Sequence, residues 1–260
     1  MSRYAPMFER LAARGEGAFG GFLMLGHPNL ESSARLLDRL VEGGADMIEV
    51  GIPFSDPIAD GPIIQAAAKR ALDAGVRTGD CFDLIARFRS KHEQVPVGIL
   101  TYANLVVGKP GFMRDAAVAG ADSLLIADVP TIEIEPFIRE MEQSGLEPVL
   151  IAAANTPQPA LQVVARVSKA YTYCVSRVGI TGTHTDGDFD ELLPGRLREL
   201  GAPPVVFGFG ISTPAHVRSA LAAGAAGVIS GSAIVRLIGD GGDGRVVDFV
   251  SEMKAATSRF

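Results

Sequence analysis

Glu49 stands inside the run Asp46-Met47-Ile48-Glu49-Val50-Gly51, an ionisable side chain in an otherwise apolar, strand-like stretch. Burying an ionised carboxylate is costly unless the group is paired or used. Glu49 is therefore a candidate general acid/base, with a structural ion pair as the alternative. Asp60 lies beyond it, at the end of the Pro-, Gly- and Asp-rich segment Ile52-Pro53-Phe54-Ser55-Asp56-Pro57-Ile58-Ala59-Asp60-Gly61-Pro62. It is close enough in sequence for one folded-back loop to bring this second carboxylate near the first. An Asp beside Gly or Pro is also a common turn former, so loop chemistry alone leaves both readings of Asp60 and Asp56 open.

Three Gly-rich segments form a second constellation: Gly179-Ile180-Thr181-Gly182-Thr183, Gly208-Phe209-Gly210-Ile211-Ser212 and Ser230-Gly231-Ser232-Ala233-Ile234-Val235. Each follows an apolar run. Glycine lets the backbone approach an anion closely enough for N–H groups to reach its oxygens. Any one of them is ordinary turn material; all three in order point to phosphate. Tyr102, Tyr171 and Tyr173 fall on two other apolar runs and read first as packing residues with a satisfied hydroxyl. Asp128 ends a further run, as a functional group or a loop cap. Of His27, His92, His184 and His216, no pair has the spacing of a metal site on a helix, and His92 and His216 read as solvent-facing helix residues.

Short apolar runs must position these groups. Eight are strand-like: 20–25, 47–50, 96–102, 123–129, 148–153, 171–176, 204–209 and 227–230. Amphipathic stretches lie between them, at 32–42, 62–74, 80–92, 134–143, 159–167, 191–200 and 214–223, with a final one at 246–256. Gly-Ala or Gly-Leu pairs at 44, 120, 145, 201 and 224 precede strands, as helix C-caps do. Eight β-then-α units in one domain of 260 residues predict a (β/α)₈ barrel, whose site lies at the C-terminal ends of its strands. An open doubly wound sheet is the runner-up, without an early G-x-G-x-x-G fingerprint to support it. Tyr4, Met7, Phe8 and Leu11 recur at helical spacing and predict an extra N-terminal helix over one end of the barrel.

Composition narrows the function classes. A net charge of −6 disfavours non-specific binding to nucleic acid or anionic membrane. No run approaches the ~18 apolar residues of a membrane span. With two cysteines and no signal-peptide pattern at Met1-Ser2-Arg3-Tyr4, the expectation is a reducing cytoplasm.

Taken together, these motifs closely resemble those of tryptophan synthase α subunits. The resemblance runs over nearly the whole chain. It rests on Ile48–Pro57 through Asp60-Gly61-Pro62, Tyr102-Ala103-Asn104, Ala127-Asp128-Val129-Pro130, Tyr171-Thr172-Tyr173 with Ser176-Arg177, Gly208–Ser212 and Ser230–Val235. It implies a (β/α)₈ barrel that cleaves indole-3-glycerol phosphate to indole and glyceraldehyde 3-phosphate. It implies catalytic roles for Glu49 and Asp60, with Tyr173 near the reacting carbons. The implied phosphate site is Gly182, Gly210, Gly231 and Ser232, and the implied indole pocket is Phe22, Leu100, Leu125, Ala127 and Phe209. The implied partner is a β subunit, in an α₂β₂ assembly, contacted through Pro53 and Asp56. Pyridoxal phosphate is expected only in that partner; no metal or other cofactor is expected in this chain. Two departures stand out. His27 takes a place where the family commonly carries Asp, and the loop Thr181–Asp188 diverges beyond Thr181-Gly182. The competing expectations are another phosphate-binding barrel, such as indole-glycerol-phosphate synthase or a sugar-phosphate isomerase, and an inert regulatory subunit of the same complex.

Overall fold

The structure, a computed structural model, describes residues 2–175, 189 and 192–258. Nine strands are described: β1 (Ala18–Met24), β2 (Met47–Gly51), β3 (Val97–Thr101), β4 (Ser123–Ile126), β5 (Glu147–Pro148), β6 (Leu150–Ala153), β7 (Thr172–Val175), β8 (Val205–Phe207) and β9 (Gly227–Ser230). All pair in parallel, in the order β5-β4-β3-β2-β1-β9-β8-β7-β6. The two ends of that order are neighbours in sequence, joined by Val149 alone. β5 and β6 are thus the halves of the fifth predicted strand. One half pairs with β4 and the other with β7, so the chain itself closes an eight-stranded (β/α)₈ barrel.

Side chains alternate along each strand, and two apolar clusters separate accordingly. Phe19, Leu23, Ile48, Val50, Ile99, Leu124 and Phe207 face outward onto helix residues such as Leu37, Ile85, Val217 and Val250. Phe22, Met24, Met47, Leu125, Tyr173, Val206 and Ile229 fill the interior. Ile48 and Val50 are therefore directed at the helices, which leaves Glu49 on the inner face. The helices begin and end by chemistry legible in the sequence. The Asn29 side chain accepts from the Ser32 N–H to start Leu30–Glu42, and Pro62 and Pro214 open theirs. The five glycines read as αβ turns all take positive φ.

The helix Tyr4–Ala13 plugs the barrel at the strands' N-terminal ends. Its Tyr4, Met7 and Leu11 belong to the interior cluster. The Tyr4 hydroxyl lies 2.9 Å from Ser123 Oγ, at the start of β4, and its ring lies 5.4 Å from that of Tyr171, just before β7. Arg3 and Arg89 both donate to Asp122, at 2.5 and 2.7 Å, which fixes the plug to the barrel base. Truncating Tyr4 to Ala would leave a cavity costing about 3–5 kcal/mol.

Three expectations change. Tyr102 is not a strand residue; it is the N-cap of a short helix, Ala103–Gly108, which the sequence reading did not separate from strand three. A further helix, Phe112–Ala119, was also missed. His92 is half-buried rather than solvent-facing, with Nε2 3.0 Å from Asp38 and its ring 4.6 Å from that of Phe88.

Candidate active site

Glu49 is the middle residue of β2, between Phe22 on β1 and Gly98 on β3. It is 3% exposed. Its Oε1 accepts a hydrogen bond from the Tyr171 hydroxyl, 3.1 Å away and 122 positions along the chain. Burial raises its pKa to about 8; the Tyr171 hydrogen bond opposes the rise and the Asp60 charge adds to it. At neutral pH Glu49 therefore holds its proton.

Asp60 hangs over the same cavity from the loop between β2 and the helix Pro62–Asp73. Its Oδ2 accepts from the Tyr102 hydroxyl at 2.9 Å. Burial raises its pKa too, but the Tyr102 hydrogen bond favours the charged form. Asp60 is also less buried than Glu49. It ionises first, and its charge adds to the burial that keeps Glu49 protonated, so one loop and one strand separate two carboxyl groups into an acid and an anion. The loop is tied down throughout. Phe54 stacks on Tyr102 at 5.2 Å, Asp60 N–H donates to Pro57 O, and Gln65 Nε2 donates to Asp60 O at 2.8 Å.

The cavity at the strands' C-terminal ends has a volume of about 360 Å³. Glu49 and Asp60 line it from β2 and the loop after it, Phe22, Leu100 and Tyr173 from β1, β3 and β7, and Phe209, Gly210, Gly231 and Ser232 from the segments after β8 and β9. Tyr173 meets Phe209 edge-on at 6.4 Å, and burial raises its pKa well above the ordinary value, so its hydroxyl stays protonated. Gly208 makes room for it. A Cβ there would lie 2.0 Å from the Tyr173 ring and hydroxyl.

The side formed after β8 and β9 is built from backbone. β8 runs into Gly208–Ser212 and then the helix Pro214–Ala222, capped by Thr213. β9 runs into Gly231 and the helix Ser232–Gly239. Ser230 Oγ donates to Ile211 O at 2.7 Å and ties the two loops together. Among the described residues neither Lys nor Arg lines the cavity, so these residues can hold an anion only by N–H and O–H groups.

The structure does not gather every expected residue. Leu125 is in the barrel interior and Ala127 packs against that cluster, but neither lines the cavity. Gly182 lies outside the described residues, as do Ser176 and Arg177. Pro53 is buried, so it can influence a partner only through its neighbours, while Asp56 is exposed beside Ser55, whose hydroxyl donates to it. Asp128 caps the helix Ala103–Gly108 by accepting from the Ala103 N–H at 2.8 Å. Among the described residues, no group of three or more His, Cys, Asp or Glu is placed to hold a metal ion. Conversely, sequence reasoning missed Tyr171 and Tyr102 as partners of the two carboxylates. It also missed His216, which is not a solvent-facing helix residue but lines the cavity.

Fold and site define a class: a (β/α)₈ barrel with two carboxyl groups, Glu49 and Asp60, in one cavity at the C-terminal ends of its strands. Relatives place the chain within that class. The profile of the tryptophan synthase alpha chain family matches residues 8–258. Tryptophan synthase alpha chains from Aeromonas hydrophila and Serratia proteamaculans are 47% and 48% identical, over 100% and 99% of both chains. A solved structure of Mycobacterium tuberculosis tryptophan synthase superposes with a TM-score of 0.91 at 30% identity, over 100% of this chain and 99% of that one. The chain belongs to the tryptophan synthase alpha chain family.

Proposed function

We propose that this chain cleaves indole-3-glycerol phosphate by a retro-aldol reaction, releasing indole and glyceraldehyde 3-phosphate. The observation that carries the reading is Glu49, protonated at neutral pH in an apolar cavity beside the more readily ionised Asp60. Protonated Glu49 delivers a proton to the indole carbon bearing the side chain. Positive charge develops on the ring nitrogen, where the Asp60 carboxylate stabilises it. The Glu49 carboxylate then takes the side-chain hydroxyl proton as the carbon–carbon bond breaks. The bonding pair returns to the ring, the aldehyde leaves, and Glu49 regains its starting state. Tyr173 packs beside the reacting carbons. The phosphate sits against the amides of Gly210, Gly231 and Ser232, completed by Gly182, and the indole lies between Phe22, Leu100 and Phe209, above Leu125 and Ala127.

The same proposal includes a pyridoxal-phosphate β subunit that consumes the indole, in an α₂β₂ complex docked over the barrel mouth, with this chain itself acting without a cofactor. A cytoplasmic location is part of it, supported by two cysteines that are both buried. The test is indole release from indole-3-glycerol phosphate by the isolated chain, repeated with β subunit added. Release that rises with β supports the reading. Release that does not respond to β removes the partner. No release in either condition removes the reaction.

A further inference from the structure

His216 is placed where an anion-binding group belongs. It sits in the first turn of the helix Pro214–Ala222, after β8, and lines the cavity together with Gly210, Ser212, Gly231 and Ser232. In the strand order, β9 and β1 separate β8 from β2, so His216 stands across the mouth from Glu49. The preceding turn holds both its helix and its ring. The Thr213 hydroxyl accepts from the His216 backbone N–H at 3.3 Å, and the Ser212 backbone N–H donates to His216 Nδ1 at 3.3 Å. An Nδ1 that accepts leaves the ring proton on Nε2. Nε2 bonds to no other described residue. Because the cavity lining lacks Lys and Arg, this N–H is the one ring or cationic side-chain N–H among the described residues lining it.

We propose that His216 donates through Nε2–H to the phosphate of the substrate, and so sets the preference for phosphorylated over dephosphorylated substrate. The inference rests on the phosphate site proposed above and adds a side chain to a cradle otherwise made of backbone and one serine. The Ser212–His216 hydrogen bond makes the donor preorganised: the imidazole needs no new rotamer when the phosphate arrives.

The experiment compares indole-3-glycerol phosphate with its dephosphorylated analogue, indole-3-glycerol, in wild type, His216→Ala, His216→Gln and Gly231→Val. His216→Ala should raise KM for the phosphorylated substrate on the order of tenfold, the scale of one lost hydrogen bond to a charged group, with much less effect on kcat. It should leave KM for the analogue within about twofold, so the selectivity ratio falls. His216→Gln retains an N–H donor and should recover much of the loss. Inorganic phosphate should compete more weakly against His216→Ala than against wild type. An unchanged ratio in His216→Ala alongside a reduced ratio in Gly231→Val overturns the role of His216 and leaves the phosphate site standing. An unchanged ratio in both variants overturns the site itself. Equal damage to both substrates in His216→Ala assigns the ring to shaping the cavity rather than to phosphate.

Discussion

The two sides of this one cavity are built on opposite rules. On the β2 side, function is carried by side chains in expensive places: Glu49 is 3% exposed and holds a proton up to about pH 8, and Asp60 shares the cavity with it. On the side formed after β8 and β9, it is carried by removing side chains, at Gly208, Gly210 and Gly231, so that backbone and the Tyr173 ring can come close. On the proposed reaction, altering a charge on the first side changes chemistry, and adding a Cβ on the second changes binding. A substitution should therefore report, by whether kcat or KM moves, which side it has touched.

The largest test of that contrast is Glu49→Gln, which keeps the shape and loses the exchangeable proton. Turnover should fall at least ~100-fold with substrate still bound. Near-normal kcat in a purified, folded variant would remove Glu49 from the chemistry. Asp60→Asn should also lower kcat severely, on the order of ~100-fold, because a neutral amide cannot balance a cationic ring nitrogen. Wild-type kcat there would reject the charge-stabilising role.

Next in size is Gly231→Val. The backbone at Gly231 has φ −113°, and a Cβ there would meet nothing nearer than Phe22 at 3.5 Å. The backbone accommodates a Cβ, and the Val side chain should obstruct the proposed anion cradle. KM for the phosphorylated substrate should rise roughly tenfold or more while kcat at saturation changes less. A fall in kcat at unchanged KM would erase the distinction between the two sides. Gly210 is the poorer test, since its φ of +77° strains any larger residue.

A stability measurement sharpens the first side alone. Glu49 binds its proton up to about pH 8 when folded, but only to about pH 4.3 in an unfolded chain. Its contribution is full below the unfolded value and is lost as pH rises through the folded one. The thermal midpoint of Glu49→Gln should therefore gain on wild type between about pH 5 and about pH 9, by several degrees. A difference that stays flat across that range would mean that folded Glu49 is ionised throughout. The smallest effect is expected at the exposed loop. Asp56→Ala should reduce activation by a β subunit a few-fold more than it reduces basal cleavage, since loop positioning gates activity without adding a catalytic group. Identical activation curves for variant and wild type would place the communication elsewhere.

What the sequence made legible follows the same division. Glu49 was conspicuous because a carboxylate breaks the apolar pattern of its strand, and the glycine loops because three occur in order. The eight β/α units were readable from periodicity and from the glycines that end helices. The groups that tune the site were not. Tyr171 lies 122 positions from Glu49 and Tyr102 lies 42 from Asp60. No local pattern encodes either pairing; the barrel's register creates both. His216 has ordinary amphipathic-helix surroundings, and only the turn at Ser212 and Thr213 directs it into the cavity. The helices Ala103–Gly108 and Phe112–Ala119 are six and eight residues long, too short for a periodic signal. The split of the fifth strand at Val149 leaves no mark in composition at all.

The helix Tyr4–Ala13, seated on Ser123, Tyr171 and Asp122, stoppers this barrel at its floor. The cavity that Phe209, Ser212 and Asp60 help to line lies at the opposite, C-terminal ends of the strands. On the proposed reaction, a partner seated over that end would hold the substrate in and receive the apolar product without its first passing through water.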